Sequence, residues 1–243
     1  MHALIIGGTH GLGFELAERA LDHGLQPIVT GRQPQEKFLH ARKPVRYETM
    51  TVENEESVAD TMTRLRNDPS LDIRALFYLP GTHLRGAFCT HTPEAVAHLF
   101  EVCLFGFMRV IRHFHPSQHV PYHLVCVGST STYRIRQDEA VYGSAKAAQA
   151  QFARNFHQEL VKDLPGSHTI LSHPCGMKTP FWNGTNMNTE GFLHPSVAAE
   201  DIWNIIRKLG IPSSTSPSTL TEVHTLRWSH GKPTLAFGAK APE

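Results

Sequence analysis

The stretch Ile5–Ala17, IIGGTHGLGFELA, decides how the chain folds. Its apolar lead completes ALII at 3–6, which has the length and content of a buried strand, and helix-period spacing begins at Gly11. Between the two stand Gly7, Gly11 and Gly13 in G-x-x-x-G-x-G spacing. A helix N-terminus offers unpaired backbone N–H groups and the positive end of the helix dipole, which suits a pyrophosphate. Glycines let the chain turn tightly and let a phosphate approach the backbone. Ordinary turn glycines would look similar, but their place between a strand and its helix favours a dinucleotide site.

Working outward, short apolar runs alternate with longer helix-period segments. QPIVTGR (26–32), VRYETM (45–50), IRALFYLPG (73–81), YHLVCVGS (122–129), HTILSHPCG (168–176) and EVHTLRW (222–228) read as strands. Helices are expected over 11–24, 57–67, 92–114, 142–164 and 196–210. The alternation predicts an α/β fold, a Rossmann-type doubly wound parallel sheet flanked by helices on both faces. No linker or repeat divides the chain, so residues 1–243 are expected to form a single dinucleotide-binding domain. The helix at 92–114 carries an apolar stripe from Val96 to Phe114, claimed equally by the domain core and by a second subunit.

Composition narrows the function. With 23 basic and 22 acidic residues the charge is balanced, so no basic stripe points to nucleic acid. No apolar run of about 18 residues suggests a membrane span, and the short apolar start MHALIIGG lacks the basic leader of a signal peptide. Cys89, Cys103, Cys126 and Cys175 are scattered without C-x-x-C spacing, which fits a reducing cytoplasm. His113, His115, His119 and His123 crowd one proline-containing segment without a fixed ligand pattern, so a solvated loop and no metal are expected.

Two further signals carry chemistry. The second strand ends in VTGR, with Arg32 and no carboxylate between Ile28 and Gln35. In a Rossmann unit this strand end meets the adenosine ribose, where an acidic residue suits NAD and an arginine suits the 2′-phosphate of NADP. NADP(H) is therefore the expected cofactor, set against a plain surface arginine. Farther on, AVYGSAK (140–146) places Tyr142 and Lys146 four residues apart, on one face of a helix. An ammonium beside a phenol lowers its pKa, making it a usable acid or base. Ser129, at the end of a strand thirteen residues before Tyr142, falls on the same side of the sheet as the glycine turn.

The ordered set of Gly7, Gly11 and Gly13, then Ser129, then Tyr142 and Lys146, then PCGMKT at 174–179 resembles the short-chain dehydrogenase/reductase family over essentially the whole chain. The resemblance implies that Tyr142 is the catalytic acid/base. It implies that Lys146 lowers the tyrosine pKa and holds the nicotinamide ribose, and that Ser129 hydrogen-bonds the reacting oxygen. Cofactor contacts carry over to Gly7, Gly11, Leu12, Gly13, Gly81, Tyr142, Lys146 and Pro174, with Thr9 and His10 near the 2′-phosphate. Met177 and Thr179 match positions at the nicotinamide amide. The chain departs from the family at Ile6, at YLPG (78–81), at Thr51 where an adenine-binding aspartate stands, and at Cys175. Cys103 replaces the tetrad asparagine, and a thiol is a poor substitute for its hydrogen bonds. Both cysteines read as packing residues.

The resemblance also implies a homo-oligomer, dimer or tetramer, acting on a small-molecule carbonyl or alcohol. A substrate loop is expected at about 180–195, where Phe181, Trp182 and Phe192 supply apolar surface and Gly184 and Gly191 supply hinges. His83 and Leu84 are placed at the pocket edge, and Arg134 and Arg136 in a solvated loop. The rival reading is a catalytically weak NADP(H)-binding sensor or regulatory protein on the same fold, motivated by YLPG and Cys103. A sugar-nucleotide epimerase stands behind both, because 243 residues leave little room for its extra substrate region.

Overall fold

The computed structural model describes residues 1–33, 45–226 and 235–237. Among these, eight strands form one sheet in the order β3-β2-β1-β4-β5-β6-β7-β8. Strands β1 (His2–Ile6), β2 (Gln26–Gly31), β3 (Arg46–Thr49), β4 (Ile73–Tyr78), β5 (His123–Val127), β6 (His168–Ser172) and β7 (Thr219–Thr225) run parallel; β8 (Leu235–Phe237) pairs antiparallel with β7. The helices are α1 (Gly11–Ala20), α2 (Glu55–Arg66), α3 (Pro93–Phe100), α4 (Gly106–Phe114), α5 (Ala140–Asp163) and α6 (Pro195–Leu209).

The period-two alternation of the strands sorts the core into two layers. Leu4, Ile6, Ile28, Leu76, Tyr78 and Leu124 face one way, onto Val58 of α2, Phe107 of α4 and Phe156 of α5. Ala3, Ile5, Val29, Phe77, Val125 and Val223 face the other, onto Leu16 of α1 and Ile202 and Trp203 of α6. This is the doubly wound arrangement the sequence predicts. The strand order reverses between β1 and β4, and in such sheets ligands bind beyond the carboxyl ends of the strands at that point.

Several boundaries differ from the sequence reading. The helix expected over 92–114 opens as its cap requires, with the Thr92 hydroxyl accepting from the Ala95 N–H at 3.2 Å. It is then broken by a π turn at Glu101–Phe105, and the Tyr78 hydroxyl donates to the Val102 carbonyl there. Most of the apolar stripe sits in the core: Leu99, Cys103, Leu104, Phe107, Val110, Ile111 and Phe114 are buried, while Val96 and Phe100 are partly buried. The strand expected at 222–228 begins at Thr219, earlier than predicted; Arg227 and Trp228 lie outside the described residues. The antiparallel β8 was not foreseen, because three residues are too few to show a period.

A buried ion cluster ties α5 to the sheet near the same strand ends. Arg154 donates to both oxygens of Glu222 at 2.7 and 3.0 Å, and His173 Nε2 lies 3.3 Å from the same carboxylate. Burial works against the Glu222 charge, but His173 and Arg154 outweigh it and hold the carboxyl down to about 2. A depressed carboxyl contributes stability above its unfolded pKa and loses it as pH falls through the folded one. Unfolding free energy should therefore drop by about 3 kcal/mol between roughly pH 4.5 and 2. In Arg154→Met the fall should be smaller and end at higher pH, from a baseline about 3 kcal/mol lower at pH 7. Identical pH profiles for the two proteins in urea titrations would count against this linkage.

Candidate active site

A cavity of about 580 Å³ opens beyond the carboxyl ends of β1, β4 and β5. One end is the glycine turn. The N–H groups of Gly7 and Gly8 donate to the Thr30 carbonyl at 3.2 and 3.1 Å, which ties the turn to β2. Gly7 and Gly11 have φ of 79° and 54°, a region that favours glycine. A Cβ at Gly13 would lie 2.4 Å from the Gly7 carbonyl oxygen, so α1 rests directly on the turn. His10 precedes α1 without capping it through its side chain, so no side chain of the N-cap residue takes up the first N–H groups. Such a cradle fits a pyrophosphate.

Next to the turn, Arg32 stands at the end of β2 with its side chain 69 % exposed, Nη1 3.9 Å from Glu53 Oε1. The other Glu53 oxygen is buried and has no hydrogen-bond partner among the described residues. Both side chains line the cavity. An orphaned acceptor beside a cation fits the donor-bearing adenosine end of a dinucleotide.

At the opposite end stand Ser129, Tyr142 and Lys146. Ser129 follows β5, and its Oγ accepts from the Ser131 N–H at 3.1 Å, which fixes the turn. Tyr142 and Lys146 occupy the buried face of α5, with the phenol packed against Leu99, Cys103 and Ala145. The Lys146 ammonium donates to the Val127 carbonyl at 2.8 Å. The phenol pKa is raised above its ordinary value, by burial first and by neighbouring Cys103 next, while a hydrogen bond with Ser129 acts the other way. This corrects the expectation that Lys146 draws the phenol toward neutrality, since desolvation prevails and the ammonium is held by β5.

The far wall is the segment after β6. Lys178 N–H donates to the Leu193 carbonyl at 2.8 Å and Leu193 N–H to the Gly176 carbonyl at 3.1 Å, so both ends of the intervening loop are pinned together. Within it, Trp182 Nε1 donates to the Met177 carbonyl at 2.7 Å. A Cβ at Gly11 would lie 2.8 Å from Thr179 Cγ2, so this segment closes over the start of α1.

Gly7, Thr9, His10, Gly11, Leu12, Gly13, Arg32, Gly81, Ser129, Tyr142, Lys146, Pro174, Met177 and Thr179 all line this one cavity. Phe181, Trp182, Phe192 and His83 line it as well. Arg136, expected in a solvated loop, lines it too and donates to Thr130 Oγ1 at 3.2 Å. Arg134 and Leu84 do not line it. Cys103 is fully buried in the π turn, as a packing residue against Tyr142. The crowded histidines divide among separate partners: His113 with Glu55, His115 with Asp163, His123 with the Gly210 carbonyl. Sequence reasoning missed Glu53, His98 and Glu139, which also line the cavity. Glu139 is the N-cap residue of α5, outside the helix expected from Tyr142 onward, so helical spacing gave no signal for it. Glu53 lies two residues beyond Thr51, the position at which the resemblance places an adenine-binding aspartate.

Among the described residues no helix is long and apolar enough to cross a membrane. The alcohol dehydrogenase of the archaeon Thermococcus sibiricus, solved with 5-hydroxy-NADP, superposes with a TM-score of 0.79 at 21 % identity, covering 96 % of this chain and 98 % of that one. An actinorhodin polyketide ketoreductase solved with NADPH gives 0.75 at 19 % identity, over 90 % and 94 % of the two chains. In sequence, an uncharacterized oxidoreductase of Staphylococcus saprophyticus is 24 % identical over 82 % of this chain and 87 % of its own. A 3-dehydrosphinganine reductase of Arabidopsis thaliana is 25 % identical over 74 % of this chain, which spans 56 % of that protein's length. The family described as short chain dehydrogenase matches residues 1–188. With the glycine turn, the doubly wound sheet and that match in agreement, the chain belongs to the short-chain dehydrogenase/reductase family of oxidoreductases.

Proposed function

We propose that the protein is an NADP(H)-dependent oxidoreductase moving hydride between nicotinamide and a carbonyl/alcohol pair, with Tyr142 as proton donor or acceptor. The observation that carries this reading is that Ser129, Tyr142 and Lys146 line the same cavity as the glycine turn. In this reading the glycine turn and the start of α1 hold the pyrophosphate, and Arg32 with Thr9 and His10 holds the 2′-phosphate. The orphaned Glu53 oxygen accepts from the adenosine, while Met177 and Thr179 meet the nicotinamide amide. Hydride chemistry is what the bound nicotinamide supplies; the chain positions the carbonyl and handles the proton.

Tyr142 gives its proton to the carbonyl oxygen as negative charge grows there, and Ser129 hydrogen-bonds the same oxygen. Burial raises the phenol pKa, so the phenol carries its proton through neutral pH and has it to give. Lys146 holds the ribose hydroxyls beside it. Residues 1–243 act as one unit with the loop at about 180–195 over the substrate. The assembly in this reading is a homo-oligomer, dimer or tetramer, which light scattering would read directly.

Cofactor choice has its own test. Arg32 is exposed and only loosely engaged by Glu53, at 3.9 Å, so its guanidinium is available to a phosphate. Arg32→Ala should cut the NADPH-over-NADH affinity ratio by about tenfold, read by fluorescence titration with each nucleotide. An unchanged ratio would remove the phosphate assignment. A second reading, a weakly catalytic sensor, is favoured by Cys103 against Tyr142 and by Lys146 held on Val127. Tight NADPH binding with no oxidation across a broad panel of aldehydes and ketones would select it.

A further inference from the structure

His83 lies two residues past Gly81, on the segment that follows β4, and its side chain is 3 % exposed. Its ring centroid is 4.9 Å from that of Tyr142, 4.9 Å from Trp182 and 5.8 Å from Phe181. Despite this enclosure, His83 Nε2 is buried with no hydrogen-bond partner among the described residues. The nearest carboxylate oxygen is Glu139 Oε1, 4.0 Å away, too far for a hydrogen bond. Glu139 Oε2 is already engaged, accepting from Ser131 Oγ at 2.6 Å with Arg136 Nε at 3.8 Å. Both His83 and Glu139 line the cavity that holds Tyr142.

We propose that His83 Nε2 and Glu139 Oε1 form a hydroxyl-binding subsite beside Tyr142, so that the substrate is a ketone or aldehyde carrying a hydroxyl on its α- or β-carbon. The inference rests on the oxidoreductase reading above and goes beyond it by naming a substrate class. The gap has the right size. An oxygen about 2.8 Å from each of two atoms 4.0 Å apart subtends roughly 90°. That angle suits a hydroxyl that accepts from the imidazole N–H and donates to the carboxylate. Charge argues against an ammonium in the same place: Arg136 already balances Glu139. Burial lowers the His83 pKa, with Arg85 acting in the same direction and Glu139 against it, so the imidazole is neutral and keeps one donor and one acceptor. The three aromatic rings around it provide an apolar wall for the remaining carbon skeleton. Trp182 packs on His83, so its emission should report a ligand in the gap.

The test is NADPH-dependent reduction of matched pairs: hydroxyacetone against acetone, and phenacyl alcohol against acetophenone, with phenacylamine as the ammonium probe. The wild-type protein should prefer each hydroxy ketone by about tenfold or more in kcat/KM. His83→Phe, which keeps the ring, should reduce that ratio to near unity, with the loss mainly in KM. Glu139→Gln, a smaller change in shape, should lower it at least about threefold. A ratio unchanged in both variants, or a preference for phenacylamine over phenacyl alcohol, would overturn the subsite. A parallel binding arm uses phenylethanediol against phenylethanol in the presence of NADP+, read by tryptophan fluorescence. A diol preference that His83→Phe abolishes, with no turnover of any ketone, would uphold the subsite and reject the oxidoreductase reading. Turnover without any hydroxyl preference would do the reverse.

Discussion

Replacing Tyr142 by phenylalanine is expected to lower kcat for carbonyl reduction by about two to four orders of magnitude, the loss typical of a proton-transfer group. The substitution keeps the ring and its packing on Leu99, Cys103 and Ala145, so stability and NADPH affinity should change little. Steady-state kinetics and nucleotide titration on one preparation separate the two effects. Turnover near the wild-type level would remove Tyr142 from the chemistry. The pH dependence adds a second check. The donor is the protonated phenol, present below its pKa, and burial raises that pKa above its ordinary value near about 10. Reduction by the wild-type protein should therefore hold through neutral pH and fall only in strong alkali. A loss of rate centred near neutrality would mean that some other group controls the proton.

Gly13→Ala is the second change expected to have a large effect. The added methyl would lie 2.4 Å from the Gly7 carbonyl oxygen and 2.8 Å from the Gly8 Cα. Both obstacles are backbone, so no side-chain rotation relieves them and α1 must move off the turn. Overpacking of this kind costs about 1–3 kcal/mol. Where that cost falls on the pyrophosphate cradle it corresponds to about tenfold or more in nucleotide affinity. Thermal melts with and without NADPH measure both quantities. A variant that binds NADPH as tightly as the wild type would show that the turn does not hold the nucleotide.

The parts of this architecture that were legible in the sequence are those set by backbone requirements. Gly7, Gly11 and Gly13 announce the turn because no other residue tolerates its geometry. The strands announce themselves because burial on two faces demands continuous apolar runs, as in IRALFY. Tyr142 and Lys146 are paired by helical spacing alone. What was not legible depends on distant partners. Glu53 is one carboxylate among many until the fold sets it beside Arg32. Glu139 gains its meaning only when the segment after β4 brings His83 within 4.0 Å. The direction of the Tyr142 shift was misread for the same reason: neighbours in sequence show charge, whereas desolvation comes from Leu99 and Cys103 on another helix.

The π turn at Glu101–Phe105 has a consequence for how this protein tolerates length changes. A π turn houses one residue more than the α-helical ladder needs, and each residue advances a helix by about 100°. Removing one residue there would rotate α3 by that angle about its own axis while α4 stayed anchored in the sheet. His98, which lines the cavity, would swing away from it, although every inward-pointing side chain of α4 kept its seat. The extra residue thus works as a phase adjuster, setting the two halves of one long helix to independent azimuths, one for the ligand space and one for the interior.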